Sequence, residues 1–299
     1  MKKTWSAIND ILNRSKKHKT SDIFLNDNGN ILTDQKIIAN KFNDYFLNVA
    51  DNLAKKIAKP STKFQDYLKN PNEHSFYLSE TTQQEVEDLI KALAINKAND
   101  IYGLSASFVK PGGPTIASII SILFNKSINQ GIFPSALKNA KVIPIHKGDS
   151  LFETSNYRPI SLLPIFSKIF EKLMYTRIFS FVKKHNILYE NQFGFQKKMS
   201  TEMAVNALIN NIITTYENKE QSVCIFLDFA KAFDTVNHDI LLNKLEYYGI
   251  RGIALGWFKA ISTTECNVLK LEILHLISIT LNAVFRRVVY LVHFYFFFT

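Results

Sequence analysis

The chain has 299 residues, 46% of them apolar, which is enough to bury the core of one large domain or two modest ones. It carries 36 Lys and Arg against 26 Asp and Glu. The resulting net charge of +10 favours a polyanionic partner, although an AT-rich coding sequence would also produce the Lys excess. Two cysteines, Cys224 and Cys266, exclude a disulfide framework and a Cys-rich zinc site. Cys224 lies in an apolar run and is predicted to be a buried thiol.

Residues 1–75 are predicted to form an N-terminal helical and linker region. The segment Asn26–Asn30 has the composition of a turn, and a helical pattern follows over Thr33–Lys59. The polar stretch Pro60–Glu73 contains two prolines and is typical of a linker. A short amphipathic helix is also predicted near the start, from the spacing of Trp5, Ile8, Ile11 and Leu12.

Residues 76–260 combine long helices with few strands and no regular alternation, which predicts an α+β fold, with a partly wound α/β sheet as the alternative. Ser79 is a candidate N-cap for the first helix, and Lys141–His146 is predicted to be an edge strand because Pro144 interrupts it. The clearest predicted strand is Ser222–Phe229, which is rich in β-branched and aromatic residues. Further helices are predicted over Ile116–Gln130, Phe166–His185, Thr201–Glu217 and Asp239–Tyr248, with loop-like or extended segments at Asp100–Pro114 and Asn156–Pro164.

Asp228 is the first candidate for chemistry because it lies where the predicted apolar strand ends. A carboxylate at such a position is costly unless something compensates its charge, and functional groups collect at the carboxyl ends of strands. A metal ligand, a phosphate-accepting Asp and an ordinary helix N-cap are all open for it. A phosphatase with a phosphorylated Asp would want a second Asp two positions later, where Ala230 stands.

Three motifs in sequence order raise this specificity. They are N-Y-R-P-I-S-L-L-P (Asn156–Pro164), N-Q-F-G-F-Q-K-K-M-S-T (Asn191–Thr201) and F-L-D-F-A-K-A-F-D-T-V-N-H (Phe226–His238). Together they resemble the finger and palm motifs of reverse transcriptases from non-LTR retrotransposons, close to the jockey-like group. The resemblance implies the fingers and part of the palm of a right-hand polymerase over residues 76–260, with an incomplete palm sheet. It also implies Mg²⁺ as cofactor, an RNA template, a DNA primer and deoxynucleotides as partners, no membrane, and a nuclear and cytoplasmic setting.

The resemblance assigns roles to individual positions. Asp228 would be a metal-binding catalytic carboxylate, and the main-chain carbonyl of Phe229 would complete that metal site. Phe233 would be the aromatic gate beneath the sugar, or else a core aromatic. Lys147 and Arg158 would lie in the fingers near the incoming triphosphate or the template backbone, or else be solvated surface charges.

Two departures from the family pattern bear on activity. Gln196 stands where the family usually has an Arg, and an amide cannot supply the charge of a guanidinium to phosphate oxygens. The family takes its remaining carboxylates from an aromatic-x-Asp-Asp hairpin, and the 299 residues contain no Asp-Asp pair. The chain is therefore expected to be inactive in nucleotide transfer, with a non-catalytic RNA-binding remnant as the alternative.

The tail Ile261–Thr299 does not resemble the family as it is written. A membrane anchor is one interpretation, but Arg286 and Arg287 divide the apolar stretch into runs shorter than the roughly 20 residues of a span. Back-translation with a shifted frame and permitted third bases gives V-P-Q-G-S-V-L-G-P-L-L-F from Val284 onward, which resembles the next motif of the family. The tail is therefore predicted to be read out of frame, after a frameshift near Ala260, and to lack a native fold.

Overall fold

The computed structural model describes residues 23–27, 29–56, 61–67, 71–95, 97–196, 198–228, 236–262, 267–269 and 279–281 of the chain. The helices are α1 (Gln35–Ala54), α2 (Gln83–Lys91), α3 (Ala106–Val109), α4 (Gly113–Gln130), α5 (Ile165–Lys184), α6 (Thr201–Glu217), α7 (His238–Tyr247) and α8 (Gly252–Ser262). The strands are β1 (Leu25–Asp27), β2 (Asn30–Leu32), β3 (Lys141–His146), β4 (Tyr157–Leu162), β5 (Asn267–Leu269) and β6 (Ile279–Leu281). Mixed helices and small sheets agree with the predicted α+β class. The helix predicted near residues 5–12 lies outside the described residues.

The strands form two small sheets. β1 and β2 make an antiparallel hairpin around the predicted turn, and the second sheet has the order β4-β3-β5-β6. β3 and β4 are antiparallel over their whole length, whereas β3 joins β5 in parallel through Lys141 and Val142 only. The prediction of an edge strand is therefore wrong for β3 as a whole. The pairing of β3 with β5 ends at Val142, before Pro144 is reached. The N–H that Pro144 lacks is therefore not needed by any residue of β5.

The larger core surrounds α5, which buries eleven residues along its length. α2, α4, α7 and α8 contribute the other side chains of this core. Phe170 from α5 meets Phe124 from α4 edge to face, with ring centroids 5.2 Å apart. Trp257 is fully buried, and its indole Nε1 donates to the Ser127 hydroxyl over 2.9 Å, so its one polar group is satisfied.

A smaller core lies between α1 and one face of the β3–β4 hairpin. Phe42 from α1 and Tyr157 from β4 are both buried, with their rings edge to face and centroids 4.9 Å apart. The amide of Asn26 donates to the carbonyl of Phe152 over 2.9 Å, which also ties the β1–β2 hairpin to the loop before β4. One face of the β3–β4 hairpin is thereby covered, and the other face is left available.

Most of the predicted helices are confirmed, because their apolar residues recur at helical spacing. α4 ends at Gly131 in the left-handed conformation (φ 65°), as predicted, and Gly249 follows α7 with φ 101°. A Cβ at Gly249 would also overlap the carbonyl oxygen of His74, so the close approach itself requires glycine. Helices α3 and α8 were not predicted.

The predicted cap of α2 is wrong by three residues. Thr82 is the N-cap, and its hydroxyl accepts from the amide of Glu85 over 3.2 Å. The carbonyl of Ser79 instead accepts from Arg177 Nε over 2.6 Å. Sequence pattern alone did not separate the two hydroxyl residues, because only the tertiary contact with α5 distinguishes them.

Arg177 clamps α5 to the segment that leads into α2. Its guanidinium donates to both carboxylate oxygens of Glu85, over 3.0 and 2.9 Å, and to the carbonyls of Ser79, Glu80 and Leu173. Burial raises the pKa of Glu85, but the hydrogen bonds from Arg177 and Thr81 lower it more, so the net pKa lies below its usual value. The pair is therefore ionised at neutral pH.

We expect Arg177→Met to lower the free energy of unfolding by about 2–4 kcal/mol, because the carbonyls of Ser79 and Glu80 and a half-buried carboxylate lose their donor. Urea denaturation at neutral pH measures this. Lys91→Ala is the matched control: its ion pair with Glu87 is exposed, so its removal should leave the unfolding midpoint unchanged within error. Equal effects of the two substitutions would contradict the clamp.

Because the pKa of Glu85 is lowered in the folded state, its contribution to stability is present above the ordinary pKa of 4.5 and is lost as the pH falls through the lower folded value. The difference between Arg177→Met and the parent chain should therefore shrink in acid.

Candidate functional site

The uncovered face of the β3–β4 hairpin brings two of the predicted site residues together. Arg158 lies opposite Ile145 in the antiparallel register, and both side chains are exposed. Lys147 follows β3 directly, and its amide donates to the carbonyl of Asn156 over 2.9 Å, which closes the hairpin. Ile143 and Ile160 lie between these ends and are half-buried. The face therefore presents two cations around a partly apolar surface.

The loop before α3 is organised by Asp100, which was not predicted as a site residue. Its carboxylate is buried and accepts from the amides of Tyr102 and Leu104 and, through the other oxygen, of Ile165, each over 2.9 Å. Ile165 begins α5 just after β4, so Asp100 fixes the junction between the hairpin and the central helix. The signal in the sequence was the turn composition of N-D-I-Y-G, in which an Asp bonds the backbone two residues later.

Lys168 lies on the first turn of α5 beside Asp100. Burial lowers the pKa of its ammonium, while the carboxylates of Asp100 and Glu171 raise it and Lys97 lowers it further. The net direction is downward, so burial prevails over the two acids at this position.

Asp228 lies at the end of residues 221–228, and the sequence predicted a strand over Ser222–Phe229, of which the structure describes residues 222–228. That prediction is wrong: the structure gives this segment no regular secondary structure, and every one of its residues is exposed. Val223 is 86% exposed and Leu227 78%, so the apolar side chains contact almost nothing. A strand is stabilised by its neighbours on either side, and no strand pairs with this segment in the described part of the chain.

Cys224 lies in the same segment and is exposed, so the predicted buried thiol is also wrong. The prediction assumed that an apolar run places its cysteine inside the protein. Burial of this run depends on strands that residues far along the chain would have to provide, and local composition does not report them.

Helix α6 precedes this segment and has no buried residue. Its bounds, Thr201–Glu217, agree with the prediction, and Ser200 caps it by accepting from the amide of Met203 over 3.2 Å. One side of the helix carries an exposed apolar stripe, formed by Val205, Ile209, Ile212, Ile213 and Tyr216. α6 and residues 221–228 together form the largest run of uncovered apolar residues in the described chain.

The remaining predicted site residues are less well placed. Gln196 donates its Nε2 to the carbonyl of Gln192 over 2.7 Å, so its amide closes the N-Q-F-G-F-Q loop on itself. Phe229 and Phe233 lie outside the described residues. Among the described residues no group of three His, Cys, Asp or Glu side chains could hold a metal ion. In the same part of the chain, no helix is long and apolar enough to cross a bilayer.

The comparison with known proteins places this region in a class. Residues 145–275 match the family model described as "Reverse transcriptase (RNA-dependent DNA polymerase)". This part of the chain is therefore similar to reverse transcriptases, and all six predicted site residues lie within it.

The relatives come from mobile elements. Over 178 residues the chain is 34% identical to the "RNA-directed DNA polymerase from mobile element jockey" of Drosophila melanogaster, covering 59% of the chain and 19% of that protein. It is also 34% identical over 198 residues to the "Probable RNA-directed DNA polymerase from transposon X-element" of the same species, covering 62% of the chain and 22% of that protein. The predicted resemblance to jockey-like, non-LTR retrotransposon polymerases is confirmed. The match spans about a fifth of the length of these relatives.

Substitutions in the exposed apolar segment at residues 221–228 should change the association between copies of the chain and leave the stability of the core unchanged. We expect Ile225→Lys combined with Leu227→Lys to reduce concentration-dependent assembly, because charge opposes edge pairing and apolar contact. Light scattering across a dilution series measures this. Ile169→Lys is the buried control, since Ile169 is 1% exposed and the substitution should unfold the chain. Unchanged assembly in the double variant would show that this segment does not drive it.

Proposed function

We propose that the chain is part of an RNA-directed DNA polymerase that copies the RNA of a non-LTR retrotransposon by two-metal nucleotidyl transfer. Residues 76–260 would form the fingers and the first part of the palm. The observation that carries the proposal is the F-L-D-F-A-K-A-F-D-T-V-N-H motif around Asp228, which lies within the family match. The cationic face with Lys147 and Arg158 supports it, because basic groups there would neutralise phosphate charge.

Mg²⁺ is the metal that this function would use, and Asp228 with the carbonyl of Phe229 would be its ligands. The described residues do not fit a complete site, since Asp228 is exposed and stands without a second carboxylate in a ligand cluster. Two ions about 3.5–4 Å apart need several carboxylates to hold them. The chemistry of the metal would therefore require ligands that this part of the chain does not supply.

Each remaining site residue has a proposed role. Phe233 would lie beneath the sugar of the incoming nucleotide and exclude a 2′-hydroxyl, while Lys147 and Arg158 would contact the triphosphate or the template backbone. Gln196 stands at the position of a family Arg, and its Nε2 is already engaged by Gln192. A bidentate phosphate contact from Gln196 is therefore not part of the proposal.

The 299-residue chain by itself is proposed to be inactive, since it contains no Asp-Asp pair. We expect no primer extension above background on an RNA template with a DNA primer, deoxynucleotides and Mg²⁺. Asp228→Ala is the matched control, and it should give the same signal as the parent chain. Extension that the Asp228→Ala variant abolishes would overturn the proposed inactivity while supporting Asp228 as a metal ligand.

The alternative function is RNA binding without catalysis, which the net charge and the cationic hairpin face favour. Arg158→Ala and Lys147→Ala should each reduce the dependence of log K on log salt by about one, as expected for loss of one phosphate contact. Filter binding of a short RNA across a salt series measures the slope. Lys126→Ala, an exposed cation on α4, is the control. If log K depends on log salt with the same slope in all three variants, the phosphate contacts are made by residues other than Lys147 and Arg158.

The tail is proposed to be an out-of-frame extension of the polymerase sequence. The family match continues to residue 275, which places the end of family-like sequence beyond Ala260. Sequencing the encoding DNA from the codon of Trp257 onward tests this: one restored base should open a frame with V-P-Q-G and an aromatic-x-Asp-Asp. Confirmation of the printed frame with no family-like alternative would refute it.

A further inference from the structure

A cavity of about 540 Å³ lies on the opposite part of the larger core from its contact with Trp257, between α5 and the extended segment before α2. Residues 75–80 form one wall, and the C-terminal half of α5 forms the floor. Its size falls within the range of about 300–1,000 Å³ that is typical of small-ligand sites. None of its lining residues belongs to the six site residues predicted from the polymerase motifs.

Aromatic rings follow one another along one side of this cavity. Phe76 and Phe181 meet edge to face with centroids 5.5 Å apart, Phe181 lies 4.7 Å from the His185 ring, and His185 lies 4.3 Å from His74. Tyr77 also lines the cavity and is 83% exposed. Burial, His74 and Lys184 each lower the pKa of His185, so its ring is mainly neutral at pH 7. Phe76 and Phe181 belong to the buried core, so Tyr77 is the ring that offers its π face to a planar ligand.

The polar groups of the cavity include two hydroxyls that can accept hydrogen bonds from a ligand, and one ammonium group. The hydroxyls of Thr176 and Ser180 donate to carbonyls one turn earlier on α5, over 3.0 and 2.9 Å, and their oxygens retain acceptor capacity. Lys184 is exposed at the mouth and forms no salt bridge in the part of the chain that the structure describes.

The two acids beside the cavity are already engaged. Both oxygens of Glu85 accept from Arg177, and one of them also accepts from the Thr81 hydroxyl over 2.6 Å. Glu80 accepts from the side-chain amide of Asn129 over 2.9 Å. Arg177 is likewise saturated by Glu85 and by backbone carbonyls. The exposed carboxylate of Glu80 keeps its negative charge, because the Asn129 amide is neutral. The cation that remains for a ligand at this cavity is the ammonium of Lys184.

We infer that this cavity binds one nucleotide of a single-stranded nucleic acid, with its base against Tyr77 and its phosphate on Lys184. Stacking on an aromatic side chain and a lysine that follows the backbone are the two elements by which proteins hold single strands without reading their sequence. The cavity has room for one nucleotide but not for a base pair with both backbones. The inference rests on the nucleic-acid-binding part of the proposed function and adds a contact apart from the β3–β4 face.

The test uses the full chain and a fluorescein-labelled oligoadenylate RNA, with affinity measured by anisotropy across a salt series. Tyr77→Ala should weaken binding by about fivefold or more, the effect of losing one base–aromatic contact, and Tyr77→Phe should retain it. Lys184→Ala should reduce the salt slope by about one. An oligomer with abasic sugars should bind the parent chain and Tyr77→Ala equally, because it has no base to stack.

Two matched controls separate the cavity from general surface effects. Tyr216 on α6 is 82% exposed, almost the same as Tyr77, and Tyr216→Ala should leave the affinity unchanged. Lys183 is the exposed neighbour of Lys184 but does not line the cavity, so Lys183→Ala should change the slope by less than Lys184→Ala does. Equal effects within either pair of variants would overturn the inference, even if Lys147→Ala and Arg158→Ala still weaken binding. Loss of RNA affinity in none of the variants would overturn it as well.

Discussion

Helix α5 is buried on nearly every side, and the arrangement of the other described helices follows from that. Phe170, Leu173 and Ile178 lie fully inside, so α4, α2 and α8 must surround the helix rather than cover a single face. One polar group that this burial would otherwise leave in apolar surroundings is the guanidinium of Arg177. It is accommodated because Glu85 and three carbonyls accept all of its hydrogen bonds. At the first turn of the same helix, the buried carboxylate of Asp100 accepts a hydrogen bond from the amide of Ile165.

The helices could be predicted from the sequence because their signals are local. Apolar residues at a spacing of three and four, together with Gly131 and Gly249 after the last turn, determine α4 and α7 within a few residues. The N-cap of α2 was misplaced since Ser79 and Thr82 have the same chemistry, and only the contact of Ser79 with Arg177 distinguishes them. The predicted strand Ser222–Phe229 failed for a related reason. Its composition is that of a central strand, but a strand also needs neighbours, which are remote in sequence.

In the candidate site, too, features with local sequence signals could be predicted and features that depend on remote residues could not. Lys147 and Arg158 come together because one hairpin, with its register fixed over six residue pairs, carries both of them. Asp228 was predicted from its motif, and the metal binding proposed for it would need further carboxylates that the local sequence does not contain. The contribution of Asp100 could have been suspected from its turn, but the bond to Ile165, 65 residues away, could not. The family itself was recognisable from three short motifs, since their order and residue identity are more specific than any element of structure.

The exposed segment at residues 221–228 also bears on the fate of the chain in a cell. Val223, Ile225, Phe226 and Leu227 are all exposed in this segment. Chaperones and proteases bind exposed apolar segments that do not pack on the rest of the protein. Recognition of such a stretch requires no unfolding, so the stability of the α5 core would not protect the chain against it. The rate at which the chain is degraded would then depend on how accessible residues 221–228 are. A polypeptide that covered the same residues with neighbouring strands would be long-lived with an otherwise identical core.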